Sequence, residues 1–96
     1  MNIVQTNDGT TTTLALDGWL DTSTAPELAN AMNDITDDCT MLIIDLAKLE
    51  YISSAGLRQL VAGHKKMRGS FKIVNVSVEI MQVFKMAGFD KRLDIS

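Results

Sequence analysis

Met41-Leu42-Ile43-Ile44-Asp45-Leu46-Ala47-Lys48-Leu49-Glu50-Tyr51-Ile52-Ser53-Ser54-Ala55-Gly56-Leu57-Arg58 joins an apolar run to a helical pattern through two serines. From Met41 to Leu46 it is apolar apart from Asp45. Such a run suits a strand covered on both faces or buried at the centre of a sheet. Leu49 and Ile52 then anchor a short connection. From Ala55 to Arg68, residues Leu57, Leu60, Val61, His64 and Met67 form one stripe, the spacing of an amphipathic helix. Gly69 is placed to end that helix as its C′ residue, with Lys65, Lys66 and Arg68 opposing the dipole in the last turns. Two adjacent hydroxyls, Ser53 and Ser54, therefore sit where a strand hands over to a helix.

Working outward, the pattern repeats on both sides. Asn7-Asp8-Gly9 is a turn signal between two short extended segments, which makes the opening pair an antiparallel hairpin. The second segment, about Thr11 to Leu16, puts Leu14 and Leu16 on one face, and Gly18 breaks the alternation. Thr24-Ala25-Pro26-Glu27 reads as a helix start with a capping box, Thr24 accepting from the third helical N–H and Glu27 reaching back. Pro26 falls in the first turn, where its missing N–H costs little. Leu28, Met32 and Ile35 share a face of that helix, and Thr36-Asp37-Asp38 ends it. Phe71, Ile73 and Val74 form a further strand. Ser77 caps a third helix carrying Ile80, Val83, Phe84 and Ala87, which Gly88 closes. Leu93 and Ile95 suggest a short final strand. The order β-β-α-β-α-β-α-(β) demands parallel neighbours after the hairpin. The expected fold is a single α/β domain over residues 1–96: a mixed, mostly parallel sheet of four to five strands with helices packed against it.

Composition narrows the function classes. The chain has 96 residues, of which 46% are hydrophobic, enough for a core and against disorder. A net charge of −3 argues against a nucleic-acid or anionic-membrane surface. Cys39 is the single cysteine, so no intramolecular disulfide forms and a reducing compartment is expected. The stretch Met1 to Asp8 has neither the basic start nor the apolar core of a signal peptide, and no apolar run approaches a membrane span. These features predict a cytoplasmic protein.

Each candidate for chemistry meets a simpler alternative. A serine at Ser53 or Ser54 caps a helix, yet one serine suffices and the second is left over. Gly56 in the first turn lowers helix propensity by about 1 kcal/mol, as though the backbone there must stay uncovered. Serine hydrolysis is excluded, because the single histidine, His64, lies ten residues from Ser54, about 15 Å along an intact helix. Ser54-Ala55-Gly56 also lacks the G-x-S-x-G elbow. Asp21 and Asp45 read as loop carboxylates that bond nearby N–H groups. One cysteine and a distant histidine do not make a metal site, and the scattered glycines do not make a phosphate loop. Met81, Val83, Phe84, Met86 and Phe89 exceed one stripe; core packing is the simple reading and a partly exposed partner patch the other.

The whole pattern resembles the STAS domain family of anti-sigma-factor antagonists. Leu42-Ile43-Ile44-Asp45-Leu46 followed by Leu49-Glu50-Tyr51-Ile52-Ser53-Ser54-Ala55-Gly56-Leu57 is similar to its signature. Leu16-Asp17-Gly18-Trp19-Leu20-Asp21-Thr22-Ser23-Thr24-Ala25-Pro26-Glu27-Leu28 resembles its first motif, and Val83-Phe84-Lys85-Met86-Ala87-Gly88-Phe89 its last helix. The resemblance implies a regulatory binding module and not an enzyme, with no cofactor. In the bacterial single-domain members a partner kinase of the histidine-kinase-like ATPase type, itself an anti-sigma factor, phosphorylates a serine at the start of this helix. The unmodified antagonist binds that kinase and frees the sigma factor for transcription, and a PP2C-type phosphatase resets the switch. Carried over, Ser54 takes the acceptor position, with Ser53 as second choice. Ser53 stands where many kinase-linked members have Asp. The implied partner surface comprises Asp21, Ser53, Ser54, Ala55, Gly56 and Arg58. The alternative is a constitutive STAS scaffold, or an accessory subunit of a transporter or stress-signalling assembly, in which the serines only cap the helix.

Overall fold

The hairpin signal opens the sheet. In the computed structural model, which describes residues 1–95, β1 (Asn2–Asp8) turns through Gly9 and Thr10 into β2 (Thr11–Leu20). The two pair antiparallel, with Asp8 opposite Thr11 and Asn2 opposite Asp17. Gly9 takes φ +61°, the left-handed conformation a tight turn needs and glycine supplies without strain.

Helix α1 (Ala25–Asn33) returns the chain to β3 (Met41–Ile52), which lies parallel to β2. Helix α2 (Ser54–Lys66) returns it to β4 (Phe71–Val74), parallel to β3. Helix α3 (Val78–Met86) follows, and Ile95 meets Ile73 in one parallel bridge, so the expected last strand is reduced to a single contact. The sheet order is β1-β2-β3-β4, the mixed, mostly parallel α/β arrangement the alternation of elements demanded.

Alternation along the strands decides what is buried. Leu14 and Leu16 on β2, Leu42, Ile44 and Leu46 on β3, and Phe71 and Ile73 on β4 point to one side. Leu28 and Met32 of α1, Leu57 and Leu60 of α2, and Ile80 and Phe84 of α3 close over them in one core. The opposite side carries Thr13, Ala15, Ile43, Asp45 and Val74, all half-buried. The apolar run Met41–Ile44 is thus central in the sheet, but only one of its faces is covered: Leu42 and Ile44 are fully buried, Met41 and Ile43 are not.

Four local expectations change. Gly18 does not end β2; it takes φ +112° within the strand, beside a register shift between Gly18 and Trp19. β3 does not stop at Leu46 but runs to Ile52, with buried Leu46, Leu49 and Ile52 three residues apart. That spacing arises because β3 carries extra residues against β2: Ala15 faces Asp45, Asp17 faces Lys48, Gly18 faces Leu49 and Trp19 faces Tyr51. At the end of α2, Met67 is the C-cap and both Arg68 (φ +53°) and Gly69 (φ +89°) are left-handed. On α3, Phe84 is buried while Ala87 is exposed, so the inward stripe is shorter than its spacing suggested.

Candidate functional site

The carboxyl ends of β2 and β3 bring the candidate residues together. Leu20 pairs with Ile52, and the Ser53 N–H donates to the Leu20 carbonyl at 2.9 Å. The chain then turns into two helices from adjacent points, α1 after Asp21 and α2 after Ser53.

The two serines divide the work. Ser53 is extended (φ −102°, ψ 175°) and is the N-cap of α2, its Oγ accepting from the Gly56 N–H at 3.5 Å. Ser54 is the first helical residue and is exposed, and its hydroxyl makes no hydrogen bond among the described residues. The Ser54 and Ala55 N–H groups lie in the first turn, where intrahelical acceptors are lacking. Ala55 is half-buried and Arg58 exposed, so both border the surface around Ser54.

Gly56 is buried, and the reason it must be glycine differs from the one its position suggested. An added Cβ would lie 2.7 Å from Leu20 Cγ and 3.0 Å from Ile52 Cγ1. The missing side chain lets α2 settle onto β2 and β3; it does not keep the backbone open to a visitor. Gly63, about two turns later, is constrained likewise by Met32 and Phe71. His64 packs edge-on against Phe71 at 6.1 Å, on the same intact helix as Ser54 and far from it.

Asp21 is an organiser of its own loop. Its Oδ1 accepts from the Ser23 N–H at 2.9 Å, the Ser23 hydroxyl at 2.8 Å and the Thr24 N–H at 3.1 Å. These bonds, the Ser23 hydroxyl first, hold the carboxyl below its ordinary pKa of 3.8. The capping box expected at Thr24 and Glu27 does not form: Thr24 makes no side-chain cap. Its hydroxyl instead accepts from the Asp21 N–H at 2.9 Å and donates to the Trp19 carbonyl at 2.7 Å. Asp21 therefore takes over the start of α1. Asp45 lies within β3 and not in the loop its position suggested; it accepts from the Ala47 N–H of the same strand at 2.9 Å and from the Asn75 amide just beyond β4 at 3.1 Å.

This end also carries an aromatic pair that no local motif announces. Trp19 and Tyr51 face each other across β2 and β3 with ring centroids 5.2 Å apart, and they are 55% and 45% exposed. The Trp19 Nε1–H donates to Glu50 Oε2 at 3.2 Å. Each aromatic directly precedes a buried residue, Leu20 or Ile52, and that alternation was the available signal. Among the described residues no three His, Cys, Asp or Glu side chains gather as a metal site, and no helix is long and apolar enough to cross a membrane.

The fold and this end define a small mixed-sheet α/β domain with an unengaged hydroxyl at a helix start. The family model of the STAS domain matches residues 2–96, and the chain belongs to that family. Among solved structures, an anti-sigma factor antagonist from Mycobacterium paratuberculosis is 25% identical, covered over 98% of this chain and 83% of its own, with a TM-score of 0.88. The anti-sigma factor antagonist SpoIIAA in its unphosphorylated form is 17% identical over 99% of this chain and 88% of its own, with a TM-score of 0.80. A sulfate transporter family protein from Wolinella succinogenes is 17% identical over 88% of this chain and 71% of its own, with a TM-score of 0.76. A comparison with curated protein sequences finds no match.

Proposed function

We propose that this STAS domain is a phosphorylation-switched binding protein whose acceptor is Ser54. Unphosphorylated, it binds an anti-sigma factor that is also a serine kinase, through a surface around Asp21, Ser53, Ser54, Ala55 and Arg58, with Gly56 setting the seat of α2. It thereby controls sigma-factor-dependent transcription in the cytoplasm, and a PP2C-type phosphatase restores it. The observation that carries the reading is the split between the serines: Ser53 is occupied as the cap, and Ser54 is exposed with a free hydroxyl. The likeness to antagonists supports it, including SpoIIAA, a Bacillus protein known in phosphorylated and unphosphorylated forms.

The physics of the switch follows from the helix end. A phosphoserine carries about −1.5 to −2 charge at neutral pH. The start of α2 tolerates it, since free N–H groups and the dipole favour an anion there by about 0.3–1 kcal/mol. A docked partner that has desolvated this surface does not tolerate it, because the new charge loses its water without gaining a partner. The switch then acts at the interface and leaves the domain's core as it was.

The test is incubation with the cognate kinase and ATP, followed by site-resolved mass spectrometry. Phosphate on Ser54 is the expected result; phosphate on Ser53 alone overturns the assignment. The likeness to a sulfate transporter family protein favours a second reading, a constitutive accessory domain. Partner binding and cell behaviour that are unchanged by Ser54→Ala support that reading instead.

A further inference from the structure

We propose that Trp19, Tyr51 and Glu50 form a clip for an arginine side chain of a protein partner. The inference rests on the preceding section only for where the partner sits; the recognition itself follows from the geometry of these three residues.

Leu20 and Ile52 point into the core, so their neighbours Trp19 and Tyr51 project to the side of the sheet that no helix covers. Aromatic rings bury roughly 150–250 Å² each when enclosed, so half-exposed rings side by side leave a broad π surface in water. The pair is held in place. Trp19 and Tyr51 are opposite in register, the rings are tilted by 39°, and the indole N–H is tied to Glu50 Oε2. Glu50 is exposed, and its other oxygen, Oε1, makes no hydrogen bond among the described residues.

A flat π face beside a carboxylate with a free oxygen is what a guanidinium requires. Its plane stacks on the indole, and its N–H fork reaches the carboxylate. A purely apolar partner would strand the Glu50 charge without water, which disfavours it. A lysine ammonium is a point charge that cannot stack and fork together. The neighbouring charges balance, so the attraction for a cation comes from Glu50 itself: Asp17 and Asp21 lie on the adjoining stretch of β2 and its exit, with the Asp21 Oδ1 engaged by Ser23 and Thr24. Two cations stand nearby in the chain, Lys48 opposite Asp17 in register and Arg58 one turn into α2. Tyr51 precedes Ser54 by three residues, so the clip and the acceptor hydroxyl share one end of the domain.

Trp19 is the single tryptophan, so its emission reports on the clip directly. The probes are three short peptides, Gly-Arg-Gly-Arg-Gly and its lysine and glutamine counterparts, titrated into the intact protein. The arginine peptide should give a saturable change in emission. The lysine peptide should need at least threefold more, and the glutamine peptide should give none. Glu50→Gln keeps an acceptor for the indole N–H and should raise the arginine midpoint at least threefold, with an unchanged circular dichroism spectrum. No saturable response to the arginine peptide, an equal response to the glutamine peptide, or an unaltered midpoint in Glu50→Gln overturns the clip. The readouts are separable. Ser54 phosphorylation without a peptide response overturns the clip alone, and a peptide response without Ser54 phosphorylation overturns the acceptor reading alone.

Discussion

Replacing Gly56 by alanine sets two effects of opposite sign against each other. In an open helix the change would stabilise by about 1 kcal/mol, because alanine loses less backbone entropy. Here the new methyl would sit 2.7 Å from Leu20 Cγ and 3.0 Å from both Leu20 Cδ2 and Ile52 Cγ1. Carbon atoms prefer roughly 3.5–4.0 Å, so the overlap is about 0.5–1 Å at three atoms. Leu20 has no exposed surface and cannot swing outward, and its carbonyl holds the Ser53 N–H. Overpacking of this kind costs about 1–3 kcal/mol. The gain at a first-turn position is smaller than in mid-helix, so the net is a loss of about 1–2 kcal/mol. With an m-value near 1 kcal/mol/M for a small domain, the urea midpoint should fall by roughly 1–2 M, read by Trp19 fluorescence. A midpoint equal to or above that of the wild type refutes the claim that α2 is seated on Leu20 and Ile52 through Gly56. Gly69→Ala is the contrasting control: an added Cβ there meets nothing within 4 Å, and its loss of about 1 kcal/mol would come from φ +89° alone.

The remaining predictions concern the same end of the molecule. Ser53→Ala should cost about 0.5–1 kcal/mol through loss of the cap, while Ser54→Ala stays within about 0.5 kcal/mol, as paired urea curves would show. Ser54→Asp should leave the circular dichroism spectrum and urea midpoint unchanged yet weaken partner binding at least tenfold by calorimetry, since a charge tolerated at the helix start is not tolerated in the interface. Asp21 should titrate below 3.8 when its carboxyl carbon is followed by NMR. A depressed folded pKa means its contribution is complete above 3.8 and is lost as pH falls through the folded value, so the Ser23 and Thr24 amide shifts should move in that acid window. A titration midpoint at or above 3.8 contradicts the bonding described for Asp21 Oδ1.

Much of the fold was legible because it is written in local periods. The hairpin turn at Gly9, Pro26 in the first turn of α1, the Ser77 cap, whose Oγ accepts from the Ile80 N–H at 3.2 Å, and the strand at Phe71–Val74 each depend on a few neighbouring residues. Where the structure departs from the pattern, a long-range partner decides. Leu46, Leu49 and Ile52 are three apart, which reads as a connection, yet they belong to one strand because β3 bulges against β2. The Thr24–Glu27 spacing reads as a capping box, yet Asp21 captures the same loop because the Trp19 carbonyl lies within reach of the Thr24 hydroxyl.

The candidate site divides along the same line. Two hydroxyls between a buried strand and a helix are readable in the chain, and the family resemblance offers the second as the proposed acceptor. That the first is consumed as the cap, that Gly56 serves packing, and that Trp19 and Tyr51 share the surface all depend on contacts between distant segments. The pairing of Leu20 with Ile52 sets all three. It pins the Ser53 backbone in an extended conformation over the helix end, turns its Oγ toward Gly56, and leaves Ser54 facing water.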